Sequence, residues 1–429
     1  MVPPIEPRVS FAEAFRTWLK IGCLGFGGPA GQIALMHRIL VDEKKWVEEQ
    51  RYLHALNFCM LLPGPEAQKL ATYVGWLLHG VRGGLTAGIL FVLPGALVML
   101  AISLLYVLGR GIPVVDGALL GIKAAVLVIV VEALIRIGRR ALKTRLLVGL
   151  AALAFVGIHF LELPFPLIVV VAAAIGFFTT NAPSGISTPI PGRWRQAALA
   201  ATIGLVLWWA PVALAALTLG TQHVLVDIGL FFSKLAVVSF GGAYALLAYM
   251  AQQAVETHGW MTAPEMVDGL GFAETLPGPL IKVTQFVGFL GAWRSPAPFS
   301  PLTSAVLGSA LTTWVTFVPP MLLIFAGAPF VEQLRANQRL SGALAAITAA
   351  VVGVILNLTV WFALHVLFAK VTEMHAGPLR WYAFDALAID PKVTVLALIA
   401  AVVAFVLHRG LVELVAIMAA LGIAVRLLS

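Results

Sequence analysis

Residues 20–28 read KIGCLGFGG, and residues 234–242 read KLAVVSFGG. The shared frame, Lys-x5-Phe-Gly-Gly, recurs at a fixed offset, Lys20 to Lys234, and Trp46 with Trp260 and Pro63-Gly64-Pro65 with Pro277-Gly278-Pro279 keep that same offset. One deletion later, Lys69 and Tyr73-Val74-Gly75 align with Lys282 and Phe286-Val287-Gly288. Pro94, Gly117 and Ile122 then match Pro319, Gly342 and Ile347, again at one common offset. Chance does not hold register in this way, so the chain is an internal repeat. Its parts are a first repeat at 1–180, a polar linker with one connecting helix at 181–219, and a second repeat at 220–429.

Composition says where the repeat resides. Of 429 residues, 60% are hydrophobic and 11% charged, and the mean hydropathy is +0.97. A soluble domain carries about 25% charged residues, and so few cannot cover a water-facing surface. Apolar runs long enough to cross a bilayer lie at Leu85–Leu108, Val114–Ile137, Ala197–Leu219, Ile228–Met250, Thr303–Phe325 and Leu340–Leu367. Shorter runs come in pairs, Leu146–Phe160 with Phe165–Phe178 and Val393–Leu407 with Leu411–Leu428. Residues 11–36 and 53–80 are apolar but interrupted by Gly and Pro. The expected fold is an all-α polytopic membrane protein with broken or re-entrant helices, about 11–13 membrane segments in all.

One unpaired helix between repeats of even crossing number turns the second repeat over. Loop charges agree with an inverted topology, because basic residues are retained in the cytoplasm. Arg136, Arg139, Arg140, Lys143 and Arg145 crowd one loop of the first repeat, whereas residues 369–392 of the second balance Lys370, Arg380 and Lys392 with Glu373, Asp385 and Asp390. The N-terminus is expected inside and the C-terminus outside, with no cleavable signal at the start. The net charge of +8 belongs largely to such loops, and no basic stripe with interleaved aromatics points to nucleic acid.

Inverted repeats with interrupted helices are the architecture of alternating-access transporters, whose site lies where the breaks meet. Here the breaks are Gly27-Gly28, Gly241-Gly242, Pro63-Gly64-Pro65 and Pro277-Gly278-Pro279. A helix restarting after such a break points unpaired N–H groups at the pocket, which makes an anion site. Lys20, Lys234, Lys69 and Lys282 flank the breaks in matching positions. An ammonium at the centre of a membrane helix costs at least ~2.5 kcal/mol, so it faces a cavity, a partner or the interface. Four cations about a pseudo-twofold suit a compact dianion; Lys123 stands apart, its counterpart being Thr348. Gln32, Gln68, Thr72 and Gln285 are candidates to hydrogen-bond oxyanion oxygens or to satisfy broken backbone, and Glu66 and Glu274 to exchange protons or to balance the lysines. Cys23 and Cys59 imply no disulfide framework, His37, His54 and His79 lack metal-ligand spacing, and no nucleotide or nucleophile motif occurs. Neither an enzyme nor a bound cofactor or metal is expected.

The stretches FGGPAGQIALMHRILVDEKKWV, LHALNFCMLLPGPEAQKLATYVGWLLHG and LFVLPGALVML closely resemble the chromate ion transporter family. KLAVVSFGGAYALLAYMAQQAVETHGWM and ETLPGPLIKVTQFVGF resemble that family's C-terminal half. The resemblance covers nearly the whole chain and implies a two-domain, long-chain member. It implies export of chromate, a tetrahedral dianion shaped like sulfate, across a bacterial inner membrane, driven by the membrane potential or the proton gradient. The expected partners are chromate, sulfate as competitor and the lipid bilayer, with a homodimer compatible; transport of sulfate or another oxyanion, and a passive anion channel, are the alternative functions.

Overall fold

A computed structural model describes residues 9–109, 111–180, 194–240, 243–327, 338–368, 370–385 and 388–428. The first repeat contributes α1 (Phe11–Leu24), α2 (Gly28–His37), α3 (Glu49–Leu61), α4 (Glu66–Gly109), α5 (Pro113–Ala141), α6 (Arg145–Phe160) and α7 (Phe165–Thr179). The connecting helix is α8 (Trp194–Leu219), after a linker whose residues 181–193 lie outside the described residues. The second repeat contributes α9 (Val224–Val237), α10 (Ala243–Gln252), α11 (Ala263–Thr275), α12 (Val283–Arg294), α13 (Pro301–Gly327), α14 (Gln338–Leu367), α15 (Pro391–Ala401) and α16 (Leu411–Leu427). A hairpin of β1 (Val371–Ala376) and β2 (Leu379–Phe384) follows α14. Among the described residues, five helices are long and apolar enough to cross a membrane: α4, α5, α8 (from Ala197), α13 and α14. The protein is an all-α polytopic membrane protein.

The repeat is visible in local structure. Each copy of α2 or α10 runs into a π-helical turn, Arg38–Glu43 or Gln253–Thr257. Each turn closes with the same bonds: Lys44 and Trp46 donate to Ile39 and Leu40 carbonyls at 2.9 and 2.8 Å, and His258 and Trp260 to Gln253 and Ala254 at 2.9 and 2.8 Å. Trp46 and Trp260 are both buried. The long helix α4 breaks at His79–Gly80, where Gly80 has φ +59°, so its two parts correspond to α12 and α13. Ile228–Met250, read above as one crossing, is instead α9 and α10, with an interruption between Val237 and Ala243. The hydropathy of the stretch hid the break that follows Val237.

The described chain divides into two compact units. The first is Met1–Ala101, Thr180–Ala243 and Leu276–Ser341. Here α13 packs on α12, α8 and α9. Glycines let the helices approach: Gly75 faces Gly83 in the first repeat, and Gly288 faces Gly308 in the second. The second unit is Ile102–Thr179, Tyr244–Thr275 and Gly342–Ser429. Its centre is α5 against α15 and α16, with Ala124, Ala125, Val128 and Ile129 packed on Leu396, Ala400, Leu414 and Met418. Gly117 and Gly121 on α5 meet Gly422 and Met418 on α16 backbone to backbone, the small-residue contact by which membrane helices associate. A side-chain carbon at Gly121 would collide with the Met418 carbonyl. Gly121→Leu is therefore expected to lower stability by about 1–3 kcal/mol or more, read as an earlier melt in detergent; an unchanged melt would refute the packing.

Residues 369–392, read above only as a balanced loop, contain the β-hairpin. Its Arg380 is 1% exposed and donates through Nε and Nη2 to the carbonyls of His159 and Ile158 at 3.2 and 2.9 Å. Glu162, Glu256 and Glu373 each lie 3.5 Å from the guanidinium. In the loop between α6 and α7, a hydrogen bond from His375 holds the Glu162 carboxyl below its ordinary value, and Arg380 adds to the effect. A carboxyl lowered in the folded state stabilises above its unfolded value, near about 4.3, and loses that contribution as pH falls through the lowered value. Hydrogen exchange of the β1–β2 amides should accelerate below that pH in the native protein, and the step should vanish in Glu162→Gln. An identical acid step in both proteins would exclude Glu162.

Candidate functional site

In the first unit the chain breaks meet. α1 ends at Leu24, and Gly27 and Gly28 take φ +83° and +66° before α2 continues, a left-handed path that favours glycine. Gly241-Gly242 lie outside the described residues, but Phe240 donates to Val238 at 2.9 Å as Phe26 does to Leu24, also at 2.9 Å. In the Pro-Gly-Pro turns, Gly64 and Gly278 have φ +102° and +89°.

Each turn is tied to the break of the other repeat. Gly64 N–H donates to the carbonyl of Ser239 at 3.0 Å, and Gly278 N–H donates to that of Gly25 at 3.0 Å. Ser239 is the repeat counterpart of Gly25, as Gly278 is of Gly64. The same reciprocity holds for packing, Gly64 facing Pro320 and Gly278 facing Gly95, the counterpart of Pro320. Each of these contacts is thus made twice, with the roles of the two copies exchanged.

Around this crossing lies a small cavity of about 20 Å³ that opens to its surroundings. Its lining is Pro29 and Gln32 of α2, Gly64-Pro65-Glu66-Ala67 at the start of α4, Ser239, and Pro279-Leu280-Ile281 leading into α12. Helix starts from both repeats thus face one space, and their first N–H groups have no intrahelical acceptor. Gln32 is 1% exposed; its Nε2 donates to the carbonyls of Gly25 (3.1 Å) and Gly278 (2.6 Å), which fixes the amide so that Oε1, without a hydrogen-bond partner, is its free end.

The lysines divide into two pairs. Lys69 and Lys282 are each 1% exposed. Lys69 Nζ donates to the carbonyl of Leu62, and Lys282 Nζ to those of Leu276 (2.9 Å) and Gly278 (3.1 Å). Leu276 is the repeat counterpart of Leu62, so the two ammonium groups hold matching carbonyls that the Pro-Gly-Pro turns strip of helical donors. Their charge lies beside the cavity, but their protons hold the turns. Lys20 and Lys234 are exposed on α1 and α9 and are not among the lining residues.

The polar candidates split likewise. Gln68 Nε2 donates to Phe317 O (3.0 Å), Gln285 Nε2 to Ala96 O and Ser309 Oγ (both 2.9 Å), and Thr72 Oγ1 to Gln68 O (2.9 Å). They tie α4 to α13 and α12 to both, behind the lining. Glu66 lines the cavity; Glu274 is buried on α11 and does not. Sequence reasoning missed Pro29, Ala67, Ser239, Leu280 and Ile281 as lining, although Ser239 directly precedes Phe240-Gly241-Gly242.

The sequence profile of the family described as Chromate transporter matches this chain over residues 12–177 and 226–425. The chain belongs to the chromate transporter family. It is similar to a chromate transport protein of Pseudomonas aeruginosa, 33% identical over 82% of this chain and 80% of that protein. It is also similar to a probable chromate transport protein of Synechococcus elongatus, 28% identical over 82% of this chain and 84% of the relative. An uncharacterised transporter of Bacillus subtilis is 29% identical over 37% of this chain and 83% of its own length, so a relative of about one repeat's size occurs. No solved structure matches the chain. The chromate transporter family is one of transport proteins, which fits the absence of catalytic motifs noted above.

Proposed function

We propose that this chain is a secondary transporter that exports chromate from the cytoplasm across a bacterial inner membrane. The observation that carries the reading is the cavity lined by helix starts of both repeats. Converging N–H groups and positive helix ends suit a tetrahedral oxyanion, and Lys69 and Lys282 add charge from behind. With the two repeats in opposite orientation, joined by α8, the reciprocal turn contacts become the pivot about which access alternates. The N-terminus then lies in the cytoplasm and the C-terminus in the periplasm. An interior-negative potential drives an anion outward with about 2.3 kcal/mol per charge per 100 mV, and a dianion with twice that.

Glu66 is the acid that meets the ion. It stands at the first position of α4, where the helix dipole favours a carboxylate, and its role here is to keep binding weak enough for release. Ala67, buried beside it, also lines the cavity, so added side-chain bulk there competes with a bound ion. Purified Ala67→Leu protein that still melts cooperatively should bind radiolabelled chromate at least tenfold more weakly, equivalent to about 1.4 kcal/mol. Excess sulfate should displace chromate from the native protein. Unaltered binding by Ala67→Leu would remove the cavity as the site, and displacement by sulfate at far lower concentration than chromate itself needs would name sulfate as the substrate.

A further inference from the structure

Within the second unit, α11 and α5 enclose an ion pair that neither the cavity nor the repeat accounts for. Asp268 is 0% exposed, and its Oδ1 lies 3.6 Å from Nζ of Lys123 on α5. Its Oδ2 accepts a hydrogen bond of 2.9 Å from Tyr106 near the end of α4. Just beyond Asp268, Gly271 brings α11 directly onto Ile122, so the pair is set in a close apolar contact. The Lys123 side chain is 24% exposed, whereas that of Asp268 is 0%. The pair therefore opens to its surroundings through the lysine.

The repeat does not preserve this group. The repeat counterpart of Asp268 is His54, and that of Lys123 is Thr348. The turns and their lysines are duplicated because they frame a symmetric site, and the buried pair is not, so its purpose is not framing. A carboxylate and an ammonium removed from water lose several kcal/mol of solvation each, which only close pairing offsets, and 3.6 Å is loose for that purpose. Protonating Asp268 removes the buried negative charge, and the lysine, partly open, retains its hydration. Ionisable groups inside membrane helices mark ion pathways for this reason.

We propose that Asp268 is the proton-carrying group of the transport cycle, with Lys123 as its alternating partner and Tyr106 as the group that positions it. The inference rests on the transport reading above and deepens it by naming the coupling ion. On the periplasmic side water delivers a proton, the Oδ1–H bond forms and Lys123 is released from the pair. On the cytoplasmic side that bond breaks, the proton leaves to water and the pair closes again, so a proton enters as chromate leaves. The charged groups on the elements packed against α11 are Lys123, Asp116 and Glu132 of α5, with the arginines near its C-terminal end, and Glu413 and Arg426 near the ends of α16. On α11 itself, Glu265 caps the helix start by accepting from Thr262 N, and Glu274 follows beyond Gly271.

The test compares the native protein, Asp268→Asn, Asp268→Glu and the neutral pair Asp268→Asn/Lys123→Met in everted vesicles under an imposed pH difference. With an acid lumen of one pH unit, native vesicles should accumulate chromate about tenfold more per proton coupled. Asp268→Asn and the neutral pair should lose that response while still exchanging labelled for unlabelled chromate, and Asp268→Glu should regain it. A neutral pair that keeps the response would show that the pair is only structural and overturn the proposal. Infrared titration of purified protein supplies a reading independent of chromate, namely a carboxylic-acid band that appears as pH falls and is missing in Asp268→Asn. Native vesicles that take up no chromate would reject the transport reading, and the infrared band alone would then decide whether Asp268 takes up a proton: its absence overturns the proposal.

Discussion

Chromate transport should fall roughly fiftyfold or more in Lys282→Met, with the protein still inserted in the membrane. The Leu276 carbonyl would lose its ammonium donor at about 1–3 kcal/mol, and the charge-assisted bond to Gly278 would cost a further about 1.5–3 kcal/mol. At tenfold for every loss of about 1.4 kcal/mol, that sum empties the native turn by the stated factor. Gly278 would keep its bond from Gln32, so the fold around the turn is retained in part while the Leu280–Ile281 helix start loses its aim. The check is initial-rate uptake in vesicles normalised to the inserted protein. Transport at the native rate would mean that Lys282 is an idle buried cation. The exposed Lys20 and Lys234 are expected to matter far less, so Lys20→Met, which the sequence alone marks as equally damaging, separates the two pairs.

The second large effect has the opposite sign. Glu66 is the acidic side chain on the cavity lining, and a carboxylate near a bound dianion opposes it by up to about 4 kcal/mol per unit-charge pair at roughly 4 Å in a partly solvated site. Glu66→Gln should therefore bind chromate about tenfold more tightly or better, and turn over more slowly because the ion is released less readily. Equilibrium binding and single-turnover release measure the two halves of that statement. Its response to an imposed pH difference should persist, since Asp268 is intact. Equal affinity in both proteins would place Glu66 outside the site, and a lost pH response would return the coupling role to Glu66.

Much of this was legible in the sequence because it was written twice. The matching Gly-Gly and Pro-Gly-Pro breaks located the crossing, and in the first repeat glycine at positive φ is what such turns require. The lysines were legible as a set but not by function. Spacing cannot tell an ammonium that faces a ligand from one that caps stranded carbonyls, and Lys69 and Lys282 do the second. Nor could it separate them from Lys20 and Lys234, which are exposed on α1 and α9. Gln68 and Gln285 look like ligand groups from sequence and serve to join helices, because buried amides find backbone carbonyls first, while Thr72 bonds within its own helix. The β-hairpin was missed because charge balance was read there for topology, while the residues that dock it, Arg380 with Glu162 and Glu256, come from three distant segments. Asp268 was invisible for the same reason: its partners, Tyr106 on α4 and Lys123 on α5, belong to the other repeat and stand far before it in the chain.

We propose that the crossing of the two repeats forms the oxyanion site of a gradient-driven exporter. The most direct test is uptake of radiolabelled chromate into everted membrane vesicles carrying this protein, energised, with and without an uncoupler and with excess sulfate. Chromate is expected to accumulate above the external concentration, to leave again when the uncoupler is added, and to be held out by excess sulfate. Uptake that ignores the uncoupler and only equilibrates would contradict it and indicate a passive anion channel.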